Sequence, residues 1–216
     1  MEFKILYKET AADETDFRDV KNICSENEIN CSLVKVRATD PQALLEWLIP
    51  TAVVVYIAGP FAKSYFGKLG EKAAEATVDV IKNLARKCFG KQKTIDEQLF
   101  TVGGKAVESE FSRNMSFAFP MKNGKMFRLL LTESITDEKL EIAFLHFLTL
   151  QKMYQDDPDS CPLTPWSENN EITRNWDQLA CFNEETEMME FVDYVKSDIQ
   201  KRIVSCPIDD AWEYHC

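Results

Sequence analysis

Trp47-Leu-Ile-Pro-Thr-Ala-Val-Val-Val-Tyr-Ile-Ala-Gly-Pro-Phe-Ala62 carries no charge and is the most apolar stretch of the chain. It decides between a protein core and a membrane element. As a helix its 16 residues would reach about 24 Å, short of the roughly 30 Å of a bilayer's hydrocarbon layer. Pro50, Gly59 and Pro60 interrupt it, and extending it back to Ala43 brings in Glu46. The arithmetic favours burial within the protein over spanning. Val53–Ile57 is β-branched and continuous, which fits a strand buried on both faces and equally a short apolar helix.

Beyond Gly59-Pro60 the pattern becomes helical. Ala62, Tyr65, Phe66, Leu69, Ala73, Thr77, Val80, Ile81, Leu84 and Cys88 recur at three and four residues. Lys63, Lys68, Lys72, Glu75, Asp79, Lys82 and Arg86 fall elsewhere, so the spacing predicts a long packing helix that ends near Phe89-Gly90. On the N-terminal side, Phe3, Ile5 and Tyr7 alternate as in a strand. Asp13 opens a helix with Phe17, Val20, Ile23 and Cys24 on one face, and Ile29–Arg37 returns to strand character. The sum is a β-α-β unit. Its first turn, Lys8-Glu-Thr-Ala-Ala-Asp-Glu-Thr15, has no glycine and three acidic residues, which argues against a phosphate site there.

After Gly90 the period becomes two. Gln98–Val102, Lys105–Phe111 and Asn114–Met121 read as strands, and Asn123-Gly124 marks a hairpin joining Ser116–Met121 to Met126–Thr132. Pro120 points to an edge or a kink. Ser134-Ile-Thr136-Asp-Glu offers a polar cap and first-turn acids for a helix running to about Tyr154. Asp156–Asn170, with three prolines, reads as a linker, and Asn183 with Glu184, Glu185 and Glu187 predicts a last helix whose stripe is Met188, Phe191, Val192, Val195, Ile199 and Ile203.

The expected fold is therefore α+β: an N-terminal β-α-β unit with a long packing helix, an antiparallel meander and hairpin, and two C-terminal helices. The expected divisions are an α/β part over 1–90, a sheet plus helix over 91–155 and an acidic segment over 156–216. All three also fit within one compact domain.

Charge separates these parts. Residues 1–155 hold 21 basic and 21 acidic side chains, whereas 156–216 hold 4 and 15, which accounts for the whole net charge of −11. Such a balance repels phosphate backbones, so direct nucleic-acid binding is not expected. Seven scattered cysteines with no C-x-x-C pair suggest neither a disulfide framework nor a zinc site, and the N-terminus shows no secretory pattern. The reading is cytoplasmic, with a membrane role for 47–62 kept as an alternative.

No catalytic, metal or cofactor motif stands out. His146 lies in an apolar helical stretch and reads as packed, while His215-Cys216 sits at the end of the sequence. Glu108 with Glu110, Glu138 with Glu141, and Glu187 with Glu190 have the spacing of carboxylate pairs but also of solvated faces. An enzyme with a carboxylate or cysteine site is thus a further alternative. Trp166, Trp176, Trp212 and Tyr214, with Asp209 and Asp210, put aromatic anchors among acids in the last segment. That combination suits a surface for another, basic, protein. The sequence therefore predicts a non-enzymatic binding protein, regulatory, inhibitor or immunity-type, with no cofactor.

Overall fold

The computed structural model describes residues 2–36, 51–57, 60–67, 71–91, 93–97, 111–164, 177–193 and 205–207. They belong to two compact units, one of Met1–Ser116 with Leu131–Ile135, the other of Phe117–Leu130 with Thr136–Cys216.

In the first unit, β1 (Glu2–Lys8) is followed by a 3-10 turn (Glu14–Phe17), α1 (Arg18–Glu26) and β2 (Asn30–Val36). β1 and β2 pair in parallel, with Ile5 opposite Leu33, as the alternating pattern requires. The turn into α1 is held by a capping box: Asp13 Oδ1 accepts from Thr15 N at 2.7 Å, and Asp16 Oδ2 accepts from Asp13 N at 2.9 Å.

β3 (Val53–Ile57) runs antiparallel along the other side of β1, giving the order β2-β1-β3. Val53, Val55 and Ile57 are buried and Val54 and Tyr56 half-buried. This settles the open choice for Val53–Ile57 as a strand. Three consecutive valines lose side-chain freedom in a helix, whereas the strand pairs with β1 along one edge and Val53 N donates to the Asn114 carbonyl at 2.9 Å on the other.

α2 (Pro60–Gly67) and α3 (Glu71–Cys88) follow; residues 68–70 between them lie outside the described set. α3 buries Thr77, Val80, Ile81, Leu84 and Cys88 of the expected stripe, together with Ala76 and Ala85, which were not assigned to it, and packs on α1. Phe66, also assigned to the stripe, is 45% exposed. Lys87 Nζ reaches Asp19 Oδ2 at 3.2 Å, and Gly90 ends the helix at φ 79°.

Beyond α3 a buried asparagine ties loop to helix. Asn114 Nδ2 donates to the Cys88 carbonyl at 2.8 Å, and its Oδ1 accepts from Glu97 N at 2.7 Å.

β4 (Met115–Pro120) leads into the second unit, where the order is β4-β5-β6-β7-β8. These are β5 (Met126–Leu130), β6 (Gln178–Asn183), β7 (Met188–Val192) and β8 (Ser205–Pro207). The Asn123-Gly124 turn is where the sequence puts it, but only Gly124 takes positive φ, at 81°. Gly124 N donates to Met121 O, and Asn123 Oδ1 accepts from Lys125 N. Pro120 ends its strand, exposed, where its missing N–H costs little.

α4 (Asp137–Asp156) starts at Thr136, whose hydroxyl accepts from Lys139 N at 3.3 Å. It buries Phe144 and Phe147 against rings of the strands. Phe147 lies 5.6 Å from Phe117, 5.3 Å from Phe119 and 6.0 Å from Phe127 between centroids.

The expected fold fails in two respects. The last helix, predicted from Asn183 onward, is overturned: Gln178–Asn183 and Met188–Val192 form an antiparallel hairpin, with Ala180 opposite Phe191. Asn183 does cap, its Oδ1 accepting from Glu185 N and Thr186 N, but it caps a turn that Glu187 closes at φ 57°. Nor is the sheet a plain antiparallel meander. β5 and β6 pair in parallel, with Leu129 opposite Ala180, so strands of both directions occur in each unit. The candidate strands over residues 98–110 lie outside the described residues.

One residue of the α1–β2 turn is strained: exposed Glu28 has φ 56°, a conformation that disfavours a side chain. Glu28→Gly is expected to stabilise the chain by about 0.5–1 kcal/mol, the relief of Cβ crowding outweighing the added chain entropy. A rise in the urea midpoint at unchanged slope checks this.

Candidate functional site

A concave feature formed by described residues lies in the second unit. His146, Thr149, Leu150 and Met153 recur at three- and four-residue spacing along α4 and form one wall. Pro162, from the loop after the helix, and Met188 and Met189 of β7 complete it. The cavity holds about 180 Å³. Its mouth is apolar and open, with Met153 45% and Met188 37% exposed. Successive strand residues face opposite sides, so Met188 is outward while Met189 is buried.

His146 was expected to be packed within its helix; it is half-buried and lines this groove. The residues leading into the groove are acidic. Asp156, Asp157 and Asp159 precede Pro162, Glu184, Glu185 and Glu187 precede Met188, and all but Glu184 are exposed. Among the described residues from 156 onward there is no lysine or arginine. α4 supplies two cations: Lys139 pairs with Glu187, and Lys152 Nζ meets Asp156 Oδ2 at 2.8 Å. Asp157 accepts from the Ser160 hydroxyl at 2.6 Å and from its N–H, which hold its carboxyl below the usual range.

The carboxylate pairs read from sequence resolve differently. Glu187 and Glu190 do not share a helix face: Glu187 is in the hairpin turn, while Glu190 accepts from Asn183 Nδ2 at 2.8 Å and Ser205 Oγ at 2.5 Å and so joins β6, β7 and β8. Glu138 and Glu141 lie in the first turns of α4, and Glu108 and Glu110 lie outside the described residues. In the first unit Lys8 Nζ meets Glu97 Oε1 at 2.5 Å, and Glu97 N in turn binds Asn114. That cluster braces the loop before β4. The capping carboxylates of Asp13 and Asp16 already occupy the start of the first helical segment.

Trp166, Trp176, Trp212, Tyr214, Asp209 and Asp210 all lie outside the described residues, as do His215 and Cys216. The groove residues were visible in the sequence, but Met188 was assigned to a helical stripe and His146 to a core. The adjacent Met188-Met189, following Glu187, was the available signal. Among the described residues no group of three or more histidine, cysteine or acidic side chains is placed to hold a metal ion. Nor is any described helix long and apolar enough to cross a membrane.

Comparisons with known protein families, curated proteins and solved structures return no match to this chain.

Proposed function

We propose that this chain is a non-enzymatic binding protein, of regulatory, inhibitor or immunity type, that takes a basic partner protein in the cytoplasm. The observation that carries the reading is the methionine-lined groove of α4 and β7, whose wall from Pro162, Met188 and Met189 belongs to the segment from residue 156 that holds the whole net charge. Methionine side chains adapt to varied apolar partners, and acidic surroundings steer and orient a basic one. An amphipathic helix with apolar residues on one face and lysines or arginines on the other has the matching chemistry. The aromatic candidates Trp166, Trp176, Trp212 and Tyr214, with Asp209 and Asp210, are proposed to bind the same partner. Five free cysteines among the described residues support a reducing compartment.

The test keeps the chain whole, because β6 pairs with β5 and a chain cut near Asp157 would strip the sheet. Methyl-labelled methionines are followed by NMR as a helical peptide of leucine and lysine is added. Shifts at Met153, Met188 and Met189 that weaken with salt are the expected result. Met153→Lys and Met188→Lys, at exposed positions, should each weaken binding about tenfold by like-charge repulsion. A leucine-glutamate peptide moving the same methyls equally, or a lysine peptide moving none of them, would reject the reading.

A further inference from the structure

Among the described residues five large apolar side chains are exposed. Val34, Val36 and Phe66 belong to the first unit, whereas the two in the second unit, Met153 and Met188, are both methionines. Both line the groove, one from α4 and one from β7. The large apolar residues beside them in its lining, Leu150 and Met189, are buried. Lys139 of α4 pairs with Glu187, the residue before Met188, so the turn that carries Met188 is tied to the helix that carries Met153. Of the other described methionines, Met115 and Met121 are buried and Met126 is half-buried.

We infer that Met153 and Met188 are a reversible oxidation site, at which a hydroperoxide turns the groove from a surface that takes an apolar helix face into one that releases it. The inference rests on the groove reading above. A thioether needs no ionisation to react, so access of the oxidant to sulfur decides which methionines change. The sulfur lone pair attacks one peroxide oxygen: an S–O bond forms, the O–O bond breaks, and the proton of the attacked oxygen passes to the departing one, which leaves as water or alcohol. For each methionine, sulfur loses two electrons and one hydroperoxide is reduced. Thiol-dependent reduction returns the thioether, and the oxygen leaves as water.

The product changes the groove's chemistry. A flexible apolar side chain becomes a polar one on α4 and again on β7. Seating an apolar helix face there strips water from each sulfoxide oxygen, which weakens binding unless a donor replaces the water. The lining has few donors. Thr149 Oγ1 already donates to the Leu145 carbonyl at 2.8 Å, which leaves His146 as the one other lining side chain that carries a donor. Two sulfoxides therefore compete for one imidazole. Both methionines are exposed, so oxidation leaves the packing of α4 on the sheet in place.

The folded full chain is treated with dilute hydrogen peroxide, and part of it is digested with trypsin and weighed. Peptide 153–174 carries Met153, and peptide 175–196 carries Met188 beside Met189, so fragmentation compares an exposed and a buried sulfur in one peptide. Met153 and Met188 should gain oxygen at least about tenfold faster than Met115, Met121 and Met189. The treated chain should bind the helical leucine-lysine peptide about tenfold more weakly, at an unchanged urea midpoint. Dithiothreitol alone, which reduces disulfides and sulfenic acids but not sulfoxides, should leave binding weak. Methionine sulfoxide reductases for both epimers, added with dithiothreitol, should restore it. Met153→Leu combined with Met188→Leu, which has no thioether at either position, should bind the peptide equally before and after treatment. Equal oxidation of exposed and buried methionines, undiminished binding by the oxidised chain, recovery with dithiothreitol alone, or loss of binding by the treated leucine variant would overturn the inference. Failure of the untreated chain to bind the peptide would instead reject the groove reading, and this inference with it.

Discussion

Phe147→Ala is expected to destabilise the chain by about 3–5 kcal/mol. Phe147 is fully buried, and its ring meets Phe117, Phe119 and Phe127 at centroid distances of 5.3–6.0 Å. Truncation removes the transfer free energy of the ring, leaves a void, and breaks aromatic contacts worth about 0.5–1.5 kcal/mol each. On α4, Phe144 meets Phe117 and Tyr154 meets Phe119, whereas Phe147 meets all three strand rings, so the gap cannot close by a small rotamer change. For a chain of this size the loss corresponds to a fall in melting temperature of roughly 6–20 °C. Phe147→Leu, which refills much of the volume, should lose less than half as much. Phe66→Ala, at a 45% exposed ring, should lose under about 1 kcal/mol. Calorimetry of the three variants checks the order; a Phe147→Ala protein as stable as Phe66→Ala would remove α4 from the core.

Asn114→Ala is the second large loss, about 2–4 kcal/mol, for a different reason. The side chain is 0% exposed and serves two backbone groups, the buried Cys88 carbonyl and the half-buried Glu97 N–H. Alanine leaves both without it, and a buried group robbed of its partner costs about 1–3 kcal/mol. Asn114→Asp separates this from simple loss of volume. Its carboxylate can accept from Glu97 N but faces the Cys88 carbonyl, and burial raises its pKa above the unfolded value of about 3.9. The variant therefore keeps most of its stability when the carboxyl is protonated, below that value. It loses stability progressively as pH rises through the higher folded pKa. Urea melts of native and variant chains across that range, read as a difference, should diverge with increasing pH.

What sequence reveals here is what local patterning alone decides. β1, α1 and β2 were legible because alternation and helical spacing each point to one buried face. Thr136 and Asn123-Gly124 were legible because capping and turn chemistry act over three or four residues. The region after Asn183 was not. Met188, Phe191 and Val192 satisfy a three-to-four spacing, yet Met189 and Phe191 equally satisfy a spacing of two. Asn183 caps a helix and a turn by the same hydrogen bonds. Pairing with β6 and β8 decides between them, and neither partner strand leaves a mark within the segment itself.

The division of the chain also constrains the order in which it is made. The first unit needs Leu131–Ile135: Ser112 N donates to the Leu131 carbonyl at 2.7 Å, and Glu133 reaches Lys93 at 3.5 Å. On the ribosome, the N-terminal unit therefore cannot be completed when its first 116 residues have emerged. It must wait while the hairpin of the other unit, Phe117–Leu130, passes out ahead of its own last piece. Neither unit is a continuous length of polypeptide, so no single cut or gene truncation yields either one whole. Exchange of one unit between related genes would require three junctions.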